Sequence, residues 1–162
     1  MKKVITVFCL GFAFTAFVVA CGGGSESGAA AAADSQTEAA ASTDPSSYDP
    51  ERGEGKFKDV QLEASLDAAL AEKGEKAYEL KCASCHKLTE EKLVGPGWAG
   101  VTSRHKPEWI LNFMTNTDQM LDKDPKAQAM LEICMVRMPN QNLTDEDAMG
   151  LLEFMRKNDG VK

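Results

Sequence analysis

The heptapeptide Lys81-Cys-Ala-Ser-Cys-His-Lys87 constrains this 162-residue chain more than any other stretch. It gathers two of the five cysteines and one of the two histidines. Cys82 and Cys85 sit two residues apart, with His86 directly after, a spacing compatible with a metal site, a redox dithiol or a covalently held haem. A thioredoxin-like dithiol is expected beside a βαβ pattern, and no alternating β-branched run here is long enough for a sheet. Zinc asks for four ligands, so Cys82, Cys85 and His86 would have to recruit His105 or Cys134, with no second paired motif in the chain. Adjacent Cys85 and His86 would also need unusual geometry to share one tetrahedral ion. Covalent haem uses all three residues, the thiols as thioethers and His86 as an axial ligand. The residues favour it over the redox and zinc alternatives.

The remaining pattern gives haem a structural role as well. From about Lys56 onward, roughly 105 residues carry helical signals. Ser65 is placed to cap a helix in which Leu66, Leu70, Gly74, Ala77, Tyr78 and Lys81 recur at three- and four-residue steps. Pro107 suits the first turn of a second helix bearing Trp109, Ile110, Phe113 and Met114. Asp124-Pro125 opens a third, with Met130, Leu131 and Cys134 on one side. Thr144 and Asp147 form a capping box for the last, whose stripe is Ala148, Leu151, Leu152 and Met155, with Asn158 and Gly160 as the stop. The Gly-Pro-Gly around Pro96 marks a loop, and a short extended piece fits near "FKDVQLE". The expected fold is all-α with long loops. So few apolar helices make a thin core that a haem face would fill.

The first 55 residues read differently. Lys2 and Lys3 precede the apolar run "VITVFCLGFAFTAFVVA", and a glycine-rich polar tract begins at once after it, the layout of a secretory signal. "VVAC", Val18 to Cys21, resembles the end of a bacterial lipoprotein signal, which implies lipid attachment at Cys21. An uncleaved membrane anchor is the alternative. Residues 1–20 are thus expected to be a signal peptide and 21–55 a lipid-anchored, disordered linker before a domain at 56–162. Gly22 to Ser47 contains no aromatic or large aliphatic residue, too little apolar surface to offset the entropy of ordering. Charge divides at the same place. The chain has 18 basic and 25 acidic residues, but from Lys56 onward the counts are 15 and 18, so most of the net acidity lies upstream. No basic face suited to nucleic acid emerges.

With these motifs in order, the domain resembles class I cytochrome c, an all-α fold wrapped around one covalently attached haem c. "KGEKAYELKCASCHKL" is similar to that family's N-terminal helix and attachment site. "VGPGWAGV" is similar to its proline loop, in which the carbonyl matching Pro96 accepts the proximal histidine's ring N–H and raises its basicity. "RMPNQNLTDEDAMGLLEFM" resembles the distal segment, where a Met-Pro pair supplies the sixth ligand. The resemblance therefore implies His86 and Met138 as iron ligands, with Met138 lying 52 positions beyond His86. It also implies that the helix with Gly74 crosses the C-terminal helix closely at Leu151 and Phe154.

Other residues are weighed against plain packing. Met114, Met130, Met149 and Met155 sit at helical spacing and read as core filler, leaving Met135 and Met120 as substitutes for Met138. Trp98 is assigned to haem-pocket packing. Arg104 and Trp109 are candidates to bind a haem propionate, with plain core an equal role for Trp109. His105 is expected as a surface loop residue and Cys134 as a buried small apolar one. The resulting expectation is no enzyme but a lipid-anchored monohaem electron carrier on the periplasmic side of a bacterial membrane. Its expected partners are membrane-bound or periplasmic redox proteins. The donor would be a quinol-oxidising complex, and the acceptor a terminal oxidase or a reductase such as nitrous oxide reductase. A haem-based ligand sensor or peroxidase-like protein with a labile sixth ligand is the rival, and a zinc-binding or purely structural lipoprotein the third.

Overall fold

The computed structural model describes residues 48–162. The signal, Cys21 and the linker up to Ser47 lie outside the described residues. Within them are six helices: α1 (Ala68–Lys81), α2 (Val101–Arg104), α3 (Pro107–Thr115), α4 (Thr117–Lys123), α5 (Pro125–Cys134) and α6 (Asp145–Asn158). Among the described residues there is no strand, only an isolated bridge between His86 and Lys92, and no helix long and apolar enough to cross a membrane.

The caps follow from side-chain chemistry. α6 opens with the full capping box, Thr144 accepting from Asp147 N and Asp147 from Thr144 N. Pro107 and Pro125 occupy first-turn positions of α3 and α5, where a missing N–H costs nothing. α1 departs from expectation at its start. Asp67, not Ser65, is the cap and accepts from Leu70 N at 2.9 Å, so Leu66 precedes the helix. α4 was not anticipated. It buries Thr117, Met120 and Leu121 within seven residues, too short a run to show a stripe.

The core is organised by α1 against α6, the most extensive helix pairing, with α3 packed on α6. Gly74 lies inside the unbroken α1, and a Cβ there would run into the backbone carbonyl of Gly150 and meet Leu151 N. Gly150 is the reciprocal small residue, which the sequence reading had not singled out. Close approach of the two backbones is what both glycines permit. Phe154, one turn on, stacks obliquely on Tyr78 with ring centroids 5.4 Å apart.

Tyr48–Gly55, expected in the linker, instead belong to the folded part. With the extended piece that follows, they form a strap over α3 to α6. The fully buried Asn112 donates from Nδ2 to Arg52 O and Phe57 O and accepts from Phe57 N. Asn116 donates to Glu54 O, Arg156 to Glu63 O, and Asp67 N to Glu153. Tyr48 donates its hydroxyl to Asp124. The ordering energy comes from these long-range bonds and from half-buried Phe57, Val60 and Leu62 packing on the core, rather than from local apolar pattern.

Candidate functional site

The chain makes one further turn after α1. Cys82 N and Ala83 N donate to Tyr78 O, and Cys85 N and His86 N donate to Cys82 O at 3.0 and 2.9 Å. This turn places Cys85 and His86 together on the lining of one cavity and keeps Cys82 within one turn of both. Cys82 is buried, Cys85 half-buried, and both are free. Burial pushes the Cys82 thiol up to about 11, the opposite of the low value a reactive redox dithiol needs.

His86 is held from several directions. Its Nδ1–H donates to the Pro96 carbonyl at 2.9 Å, the bond expected from the resemblance. The Tyr78 hydroxyl donates to the His86 carbonyl at 2.7 Å. The ring centroid lies 5.5 Å from that of Trp98, and Gly95 packs so closely that a Cβ would collide with the imidazole. Burial lowers the pKa of His86, opposed by the bond to Pro96. The favoured state is therefore a neutral ring with Nδ1 engaged, which leaves Nε2 as a ligating lone pair.

Two adjoining cavities open next to this ring. Cys85, Val94, Leu121, Leu131, Cys134 and Val136 line the first. Trp98, Val101, Arg104, His105, Trp109 and Ile110 line the second. His86, Pro96, Phe113, Met130 and Met138 border both, making the two cavities halves of one largely apolar slot. Met138 is half-buried on the loop between α5 and α6. Its two substitutes lie elsewhere. Met135 caps α5 and is 84% exposed, while Met120 is fully buried with its sulfur accepting from Glu54 N at 3.0 Å.

The other candidates divide. Trp98 is buried against Tyr78 and His86 and borders the slot. Arg104 donates to the carbonyls of Ala99 and Gly97, at the edge of the slot. Trp109 also borders it, but its indole N–H goes to Asp124 Oδ2 at 3.0 Å. That bond corrects the propionate role suggested for Trp109, because the single donor is already committed to a buried carboxylate. His105 lies on the loop after α2, as expected, but is half-buried. It stacks on Trp109 at 4.0 Å and borders the slot. Cys134 is half-buried and faces the same cavity as Cys85 instead of packing in the core. Tyr78, Gly95, Phe113 and Met130 also build the site. Of these, only Gly95, in its Gly-Pro-Gly loop, had a local signal.

The slot suits a flat apolar cofactor, with the free thiol of Cys85 in its lining and that of Cys82 one turn away in the chain. A neutral imidazole and a thioether sulfur border it as possible axial ligands. Cys82 and Cys85 would hold haem c covalently, and His86 with Met138 would ligate its iron. Zinc finds no such set: among the described residues no three His, Cys, Asp or Glu side chains gather as a metal site.

Comparison with known proteins agrees with this geometry. Residues 71–159 match the family model described as cytochrome c. A cytochrome c from Rhodothermus marinus is 33% identical, with 65% of this chain and 90% of that one covered and a TM-score of 0.63. An engineered cytochrome c from the same organism is 32% identical over 68% of this chain and 98% of its own, with a TM-score of 0.65. The engineered protein bound to a carbene intermediate superimposes with a TM-score of 0.62. No curated protein matches the chain. The match covers most of the described helices and the whole Cys82-to-Met138 constellation: this chain belongs to the cytochrome c family.

Proposed function

We propose that this protein is a monohaem electron carrier of the periplasmic side of a bacterial membrane, held there by lipid on Cys21. Haem c, when bound, supplies a one-electron ferric/ferrous couple. The observation that carries the reading is the slot itself, with His86 Nε2 and the Met138 thioether as the available axial pair. His/Met ligation raises the reduction potential and leaves no open coordination position, which favours electron transfer over oxygen chemistry. The neutral, buried His86 is oriented by Pro96, so its protonation need not change with each turnover.

Membrane attachment rests on the sequence at Val18 to Cys21 and on the length of chain between Gly22 and Ser47. The partners would be a quinol-oxidising donor and a terminal oxidase or reductase acceptor, with nitrous oxide reductase the first acceptor to try. Val94 and Val136 line the first cavity and are exposed, as are their chain neighbours Leu93, Ile133 and Met135, and Lys92 Nζ donates to Ile133 O between the two segments. This rim suits docking through apolar contact rather than through a ring of like charges.

A ligand-sensing role draws on one observation, the few restraints on the loop that bears Met138. Carbon monoxide separates the two. A carrier with both axial positions closed keeps its ferrous spectrum unchanged under the gas, whereas ready binding would replace the carrier reading with the sensor.

A further inference from the structure

His105 caps the end of α2 and borders the second cavity of the slot. Its ring lies flat on Trp109, with centroids 4.0 Å apart and 13° between planes. Nδ1 is buried and has no hydrogen-bond partner among the described residues, a condition shared only with Arg52 Nε. Buried polar atoms are nearly always paired, and an orphan calls for an explanation.

The neighbouring charges narrow what the missing partner can be. Asp124, the N-cap of α5, and Glu51 on the strap are the acidic groups that act on His105, and Arg104 and Lys126 are the basic ones. Both carboxylates are already engaged. Asp124 accepts from Tyr48, Trp109 Nε1 and Ala127 N, and Glu51 accepts from Lys126. Arg104 is fixed at the slot's edge by the Ala99 and Gly97 carbonyls. An unengaged imidazole N–H beside a fixed guanidinium is a receptor for a carboxylate.

We propose that His105 is a positioning residue whose Nδ1–H donates to a carboxylate of the slot's occupant, a haem propionate, with Arg104 as its electrostatic companion. The proposal rests on the reading that haem c fills the slot. Trp109 keeps the ring in place by stacking, since its own N–H is spent on Asp124.

The bond couples the imidazole to the electron. In the protein alone, burial, reinforced by Lys126 and Arg104, lowers the His105 pKa. A propionate in contact acts in the opposite direction, because it favours the imidazolium. Oxidation adds one positive charge nearby and lowers the pKa again, so the ferric form releases its proton more readily than the ferrous form. Between the two values reduction takes up a proton, and the reduction potential falls as pH rises.

Potentiometry of the holoprotein across the imidazole range, about pH 5–8, tests this. The native protein is expected to show the falling potential. His105→Phe keeps the stack but removes the N–H, so its potential should be lower at acid pH and its profile flat. His105→Asn retains a non-titrating donor, so its profile should be flat while its potential stays near the native value at high pH. Nitrogen-15 NMR of the native protein should show Nδ1 protonated in both redox states. A haem c spectrum with a flat native profile, a native profile retained in His105→Phe, or an unprotonated Nδ1 would overturn the assignment of His105 alone. Absence of any haem c spectrum would overturn it together with the reading of the slot.

Discussion

The two walls of the slot are built with unequal security. On the His86 side, the ring nitrogen, the backbone carbonyl and the ring faces are each held by a separate partner. That wall continues into the α1–α6 crossing, where Gly74 and Gly150 bring two backbones together. On the Met138 side, α5 buries only Ala127 among its ten residues and ends in the left-handed conformation at Met135. Ile133, Met135 and Val136 are exposed, and the following loop is tied mainly at its surface, by Arg137 to Asp118 and Asp122 and by Lys81 to Gln141 O. The chain therefore determines the proximal wall by its own packing. The distal wall has few buried contacts, the mark of a region of low local stability, and a bond from Met138 to the occupant would supply what packing does not.

Four substitutions can break or sharpen this comparison. The largest effect is expected at the helix crossing. Gly74→Val drives a branched side chain into the Gly150 backbone, which cannot rotate away as a side chain would. A loss at the upper end of overpacking effects, about 3 kcal/mol, should lower the unfolding midpoint of the holoprotein while haem stays attached. A midpoint equal to the native one would remove the crossing as the anchor of the proximal wall. Gly95→Ala acts closer to the site, since its Cβ must displace the His86 ring. A loss of about 1–2 kcal/mol with a shifted reduction potential is expected. A stability loss with an unaltered potential would mean that the loop yields and the ring does not.

Smaller effects follow from single polar contacts. Tyr78→Phe removes the donor to the His86 carbonyl and should cost about 1 kcal/mol in denaturant unfolding, with the fold retained. Arg137→Ala removes pairs with Asp118 and Asp122 that are half exposed. Its cost should stay within about 0–1 kcal/mol and shrink further in high salt. If Arg137→Ala proved more damaging than Tyr78→Phe, the ranking of the two walls would be reversed.

The same asymmetry separates what could be read from the sequence from what could not. Cys82, Cys85 and His86 are adjacent in the chain, and the turn that arranges them is local, so their chemistry was legible. The starts of α3, α5 and α6 were legible for the same reason, being set by a first-turn proline or by capping residues within a few positions of one another. The start of α1 was misplaced because Ser65 and Asp67 are both capping types two residues apart, and only the bond to Leu70 N distinguishes them. The strap was missed because Asn112 holds Phe57 from 55 positions away. The stacking that half-buries His105 was likewise not visible. For Trp109 the sequence allowed core or propionate binding, and only Asp124, 15 positions away, decides by taking the indole N–H. Contacts of that range leave no periodic trace.

The central claim is that His86 and Met138 close the iron from opposite walls, and the ferric charge-transfer absorption of a thioether-to-iron bond tests it most directly. The native protein should show this band. Met138→Ala should abolish it, lower the reduction potential and admit exogenous ligands, while Met135→Ala should leave it untouched. Survival of the band in Met138→Ala would contradict the account.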